Sequence, residues 1–126
     1  MTEDDIRGFF EALSRADFDG LEQALDEDVR LVFPGRRFGT EVQGLRRVRV
    51  FLRQNQRLFR GGLHFDLSWV GVIGDRAVAQ WTNHGTTRDG QDYTNRGVTI
   101  FRQAGGRIVE IQDYLDTERI AETWPR

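Results

Sequence analysis

At 126 residues the chain is expected to form one domain over 1–126, long enough to bury a core without metal or disulfide support. The absence of cysteine removes thiol nucleophiles, thiolate metal sites and disulfide scaffolds, and two histidines are too few for an all-histidine zinc site. All 18 basic residues are arginine, so no side-chain amine is available for a Schiff base, and a net charge of −2 argues against general nucleic-acid binding. No apolar run approaches membrane-spanning length, and the acidic opening Met1 to Asp5 lacks the basic and apolar regions of a signal peptide. A cytoplasmic protein without a membrane partner is expected.

Thr2 reads as the N-cap of a first helix, with Asp5 in the place of the capping-box acid and Ile6, Phe9, Phe10 and Leu13 on one stripe. Asp17 caps a second helix in which Phe18, Leu21, Ala24 and Leu25 share a face and Gly20 is a weak point. Val29, Leu31 and Phe33 then alternate as a short strand stopped by Pro34-Gly35. Arg36 to Gly44 reads as a loop. Leu45, Val48, Phe51, Leu52, Asn55, Leu58 and Phe59 mark a third helix, closed by Gly61-Gly62. Its remaining faces carry Arg46, Arg47, Arg49, Arg53, Arg57 and Arg60, and a solvated surface explains them better than a phosphate site, because no aromatic residues interleave for base stacking.

From Leu63 the pattern is strand after strand. Leu63, Phe65, Leu67 and Trp69 oppose His64, Asp66 and Ser68; after a turn at Gly74-Asp75, Ala77, Ala79, Trp81 and Asn83 oppose Val78, Gln80, Thr82 and His84. Asp89-Gly90 is read as a two-residue hairpin turn. Pairing Arg88 with Gln91 puts Trp81 opposite Val98 and Asn83 opposite Arg96, both facing inward. His84 falls on the outer face, and a slip of one residue would exchange it with Asn83. A second hairpin at Ala104-Gly105-Gly106 leads into Arg107 to Thr117, where Val109, Ile111, Asp113 and Leu115 share one face. Thr117 to Trp124 reads as a short closing helix, with Ile120 and Trp124 one turn apart and Asp116 as its N-cap.

Asp113 is the anomaly of this pattern, a carboxylate on the face that should meet the core. An ionised carboxylate is normally paired, protonated or turned to a cavity or solvent, because burying it alone is costly. Helices followed by an antiparallel sheet give an α+β fold, and a strongly bent, mostly antiparallel sheet wrapped around the helices would leave a pocket. The expected walls are Trp69, Trp81, Val98, Ile111 and Leu115, with Asn83, Arg96 and Asp113 as the polar members. A purely structural reading makes Asp113 and Arg96 an ion pair between strands and the tryptophans core packing.

Three features in order, Phe9-Phe10-Glu11-Ala12-Leu13 followed by Asp17-Phe18-Asp19-Gly20-Leu21, the turn Gly105-Gly106-Arg107-Ile108-Val109, and Gln112-Asp113-Tyr114-Leu115-Asp116-Thr117, resemble the SnoaL-like, nuclear-transport-factor-2-like superfamily. That resemblance implies a cone-shaped α+β barrel with a pocket, often a homodimer through the outer sheet face, and a pocket acid that transfers protons without cofactor or metal. The ketosteroid isomerases of the superfamily place a tyrosine and two aspartates where this chain has Phe9 or Phe10, Phe33 and the acid-free run Gly97-Val98-Thr99, so a steroid-isomerase mechanism is set aside. Limonene epoxide hydrolases are more similar in the last strand, where Asp113-Tyr114-Leu115-Asp116 matches their motif, but their Arg-x-Asp pair falls at Trp81-Thr82-Asn83.

The resemblance thus implies an acid/base enzyme of cyclase, isomerase or hydrolase type acting on a small, mostly apolar substrate. Asp113 would move the proton while Asn83 and Arg96 orient substrate or water; the alternative is a ligand carrier with the same pocket. The expected dimer face carries His64, Asp66, Ser68, Gln80, Thr82, His84, Asn95, Thr99, Phe101, Glu110, Gln112 and Tyr114, burying roughly 1,200 to 2,000 Å² in total.

Overall fold

The computed structural model describes residues 1–123 and contains four helices and six strands among them. These are α1 (Glu3–Ser14), α2 (Phe18–Glu22), β1 (Leu25–Phe33), β2 (Thr40–Gln43), α3 (Leu45–Arg57), β3 (Phe59–Ile73), β4 (Arg76–Thr87), β5 (Asp92–Ala104), β6 (Arg107–Leu115) and α4 (Thr117–Thr123). None of these helices is long and apolar enough to cross a membrane. Trp124, expected one turn beyond Ile120, lies outside the described residues.

The helix starts follow their caps. The Thr2 hydroxyl accepts from the Asp5 amide at 3.2 Å while the Asp5 carboxylate accepts from the Thr2 amide at 2.8 Å, closing a capping box that satisfies two otherwise unpaired N–H groups. Ile6, Phe9, Phe10 and Leu13 are buried as their spacing requires. Asp17 caps α2, but the helix stops at Glu22 rather than carrying Leu25 on its stripe. Leu25 instead opens β1, beside β6, where the Ile108 amide donates to the Ala24 carbonyl at 2.9 Å. On α3, Val48, Leu52 and Gln56 are buried, while Arg46, Arg47 and Arg57 face solvent and Arg49 pairs with Asp19 and Glu22 at 2.8 and 3.0 Å.

The sheet order is β2-β1-β6-β5-β4-β3, antiparallel throughout except for the parallel pair β1 and β6. It is curled and open, so the cone-shaped closure implied by resemblance is incomplete, with β2 and β3 as free edges. The curl follows from a packing fact. α3 touches both β1 and β3, which are separated by three intervening strands. In a flat sheet they would stand roughly 19 Å apart, beyond the reach of one helix roughly 10 Å wide. The sheet therefore wraps α1 and α3, and Phe9 and Phe10 of α1 meet Phe101 of β5 edge-on at 5.2 and 5.9 Å.

Several sequence expectations are corrected here. Thr40–Gln43, expected as loop, adds an edge strand to β1. α3 ends at Arg57, and Gly61 and Gly62, with φ of 71° and 86°, lie within β3 where its pairing to β4 is interrupted. There the Gln56 side chain does the work of a missing strand, donating to the Leu63 carbonyl at 3.0 Å and accepting from its amide at 2.6 Å.

Two bulges and one turn decide which residues face the core. Leu67 pairs with Trp81 but Trp69 with Gln80, so Ser68 is an extra residue and Trp69 rolls to the outer face, 54% exposed. Likewise Arg102 pairs with Glu110 but Gln103 with Ile108, so Val109 is extra and Ile108 takes the core position expected for it.

The third correction is at Asp89-Gly90. The Gly90 amide donates to the Thr87 carbonyl at 3.0 Å, the Thr87 amide donates to the Gln91 carbonyl at 2.8 Å, and Gly90 has φ of 90°. This is a three-residue loop ending in a left-handed glycine, not a two-residue turn. One added loop residue reverses the faces of β5. Trp81 pairs with Gly97 and Asn83 with Asn95, so Tyr93, Asn95, Thr99 and Phe101 are buried, whereas Arg96 is exposed and Val98 faces outward.

Candidate functional site

Between the concave sheet face, α1 and α3 lies a cavity of about 60 Å³. Its walls are mostly apolar and rich in aromatic rings: Phe9 and Phe10 from α1, Phe51 from α3, and Phe33, Phe65, Trp81 and Tyr93 from the sheet. Of the expected site residues, Asp113, Asn83, Trp81, Ile111 and Leu115 come together on this cavity. Arg96, Trp69 and Val98 do not line it, for the reasons of register and bulge given above. The suggested Asp113 to Arg96 ion pair is therefore absent, the two side chains belonging to opposite faces of the sheet. His84 is on the outer face as expected, stacked on His64 with centroids 5.6 Å apart and 3.4 Å from Asp66.

Thr99, which sequence alternation assigned to the outer face, is the partner of Asp113. Its hydroxyl donates to Asp113 Oδ1 at 2.7 Å and accepts from Trp81 Nε1 at 2.9 Å. The direction of this chain is fixed by chemistry. An indole N–H only donates, so the threonine must accept from it, and its single proton is left for the carboxylate. Gly97 makes the geometry feasible, because a Cβ there would stand 2.9 Å from Trp81 Cη2, and only a bare backbone lets the ring lie across β5 to reach Thr99.

Burial pushes the Asp113 carboxyl up from 3.8 to about 6, with the Thr99 hydrogen bond pulling the other way. A cation beside it would have lowered it, and Arg96 on the far face supplies none. Among the described residues, no protein donor reaches Asp113 Oδ2. Asn83, 5% exposed, has an Oδ1 that is buried without a hydrogen-bond partner among the described residues. Asn95, also missed because of the reversed face, donates from Nδ2 to the Tyr93 hydroxyl at 2.9 Å and to the Asp116 carbonyl at 3.1 Å, tying β5 to the start of α4. Asp116 caps α4 as expected, accepting from the Glu118 and Arg119 amides at 3.0 and 3.2 Å.

A curled open sheet wrapped around helices, with a cavity between them, defines the nuclear-transport-factor-2-like class of α+β fold. The chain belongs to the SnoaL-like family, whose SnoaL-like domain matches residues 6–111. No curated protein matches it. Among solved structures, Bal32a from a soil-derived mobile gene cassette shares the fold with a TM-score of 0.87 at 20% identity, over 95% of this chain and 93% of that one. An NTF2-like protein of unknown function from Burkholderia pseudomallei gives 0.83 at 26% identity, over 95% of both chains. TerC, co-crystallised with polyporic acid, gives 0.82 at 22% identity, over 94% of this chain and 93% of its own.

Proposed function

We propose that residues 1–126 act as one SnoaL-like domain that binds a small, mostly apolar molecule in the cavity, and that Asp113 transfers a proton to or from it without cofactor or metal. The observation that carries this reading is the Asp113 carboxyl itself, set on an aromatic-walled cavity with a pKa raised to about 6 and held in one orientation by Thr99. A group titrating near neutrality can both take and return a proton, which a carboxyl at its ordinary value does poorly. The co-crystallisation of TerC with polyporic acid supports a small-molecule role for this fold.

A carrier without chemistry is favoured by one feature. Among the described lining residues there is no Arg or His to stabilise an oxyanion, and the unfilled atoms Asn83 Oδ1 and Asp113 Oδ2 are acceptors. Asp113→Asn separates the two readings. For an enzyme, turnover of a ligand recovered with the protein falls by roughly 10²- to 10⁴-fold, while affinity stays within roughly tenfold because the amide oxygen still accepts from Thr99. For a carrier, the wild type shows no turnover to lose.

The outer sheet face is assigned to a second copy of this chain. Trp69, Gln80, Val98 and Tyr114 lie in register across β3 to β6, followed by Gly71, Val78, Ile100 and Gln112 in the next row. Trp69 and Tyr114 are 54% and 52% exposed, more aromatic area than a solvated sheet needs, and a two-fold axis would set each row against its own copy. Asn95, Thr99 and Phe101, expected on this face, are replaced there by Arg96, Val98 and Ile100. Light scattering at micromolar concentration is expected to give the dimer mass, and Tyr114→Arg to halve it. A monomer mass for the wild type would sink the assignment.

A further inference from the structure

We infer that the cavity selects a compact, non-anionic ligand carrying a hydrogen-bond donor, a hydroxyl or N–H group, and that Asn83 is the residue that reads this donor. The inference rests on the proposed small-molecule role of the same cavity and adds the chemistry of the ligand.

It comes from the polar groups in the wall and how each is already used. Both ends of the Gln56 amide are bonded to the backbone of Leu63. The Thr99 hydroxyl accepts from Trp81 and donates to Asp113, and the indole N–H of Trp81 is spent on Thr99. Asn55 is half-buried on the same wall and Asp113 Oδ2 accepts from no described donor, but the lining side-chain atom that is fully buried and unpartnered among the described residues is Asn83 Oδ1. Buried carbonyl oxygens are nearly always paired, because an unpaired one keeps the full cost of leaving water. The group that completes Asn83 must donate. A ligand seated beside it that cannot donate leaves this carbonyl unpaired and binds more weakly.

The sign of the ligand's charge follows from the same wall. Among the described lining residues there is no Arg or His, and the one carboxylic acid is Asp113. A carboxylate or phosphate ligand would face that carboxylate with no cation to offset it, in surroundings of low polarity where like charges repel strongly. A neutral or cationic donor meets no such opposition, and the Phe rings suit a flat or compact apolar body. The volume of about 60 Å³ argues for a compact ligand and against a fused ring system.

The test is a titration of the intact protein, followed by amide chemical shifts in ¹H–¹⁵N spectra, with four probes of similar size: para-cresol, para-methylanisole, toluene and para-toluate. Para-cresol is expected to bind roughly tenfold more tightly than para-methylanisole or toluene, the difference one hydrogen bond makes, and para-toluate not to bind at millimolar concentration. In Asn83→Leu the cresol preference is expected to shrink to within roughly twofold while toluene still binds. Para-methylanisole matching or exceeding para-cresol would overturn the donor reading, and a preference unchanged in Asn83→Leu would overturn the assignment of that donor to Asn83; either result leaves the apolar pocket standing. Binding of all four probes alike would overturn the donor reading as well. If none of the four perturbs the spectrum, the small-molecule role falls together with the inference. Should Asn83→Leu not fold, the wild-type comparison decides the donor reading, and a shift of the Asn83 side-chain amide signals on adding para-cresol but not toluene decides the assignment to Asn83.

Discussion

Asp113→Asn is expected to be more stable than the wild type at about pH 8, by up to about 3 kcal/mol, and to lose that advantage below about pH 4. The sign follows from the raised carboxyl. In the unfolded chain Asp113 ionises near 3.8, in the folded protein only near 6, so between these values the folded state holds a proton that the unfolded state has released. Stability is therefore full below the lower value and lost as pH rises through the upper one. Roughly two pKa units at about 1.4 kcal/mol each give about 3 kcal/mol. An asparagine cannot ionise, yet its Oδ1 still accepts from Thr99, so the variant avoids the penalty without breaking the bond. For a domain of this size the shift in Tm is roughly 10 °C. Because both proteins share every other carboxylate, the difference between their unfolding curves at the two pH values isolates Asp113. A gap that did not widen with pH would show that the carboxyl is solvated in the folded state. A residue that lowers stability at neutral pH and has no ion-pair partner is the kind that clusters at functional sites, which supports the proposed role of Asp113.

Much of this was legible in the sequence, where the signal was local. The Thr2 and Asp5 capping box, the Asp17 and Asp116 caps, the inward set Ala77, Ala79, Trp81 and Asn83, and the misplaced carboxylate Asp113 all reappear in the structure. What failed turned on counting single residues. Asp89-Gly90 reads in the sequence as the whole turn, but the loop also includes Arg88, and that one residue moves Arg96 and Val98 out of the site and Thr99 into it.

Composition held the correction. One face of β5 carries Arg96 and Arg102, the other Tyr93 and Phe101, and aromatics go inward more readily than arginines. The bulges at Ser68 and Val109 had no such marker, since neither residue is a glycine or proline. The parallel pairing of β1 with β6 joins segments far apart in the chain, and alternation within a strand says nothing about its neighbour. The unpartnered Asn83 oxygen exists only in three dimensions.

Gly97→Ala is expected to destabilise the protein by about 3 kcal/mol, at the upper end for one added methyl group, and to uncouple Asp113 from Trp81. The new Cβ would stand 2.4 Å from the Tyr114 carbonyl oxygen and 2.9 Å from both Leu115 Cβ and Trp81 Cη2. A flexible side chain could swing aside, but the nearest obstacle is the backbone of the paired strand. Either β5 and β6 separate, weakening the ladder that places Thr99 opposite Asp113, or the indole lifts and gives up its bond to Thr99. The second route keeps the fold and is seen in the site, as loss of the Trp81 indole proton's hydrogen-bonded shift in NMR. The control is Gly8→Ala in α1, where nothing lies within 4 Å of the added methyl. There alanine's better helix propensity should stabilise by about 0.5 to 1 kcal/mol. The same substitution thus has opposite signs at two glycines, and the sign is set by what the missing side chain leaves room for. Equal effects at Gly97 and Gly8 would show that the indole does not lie across β5, and the Trp81–Thr99–Asp113 chain would fall with it.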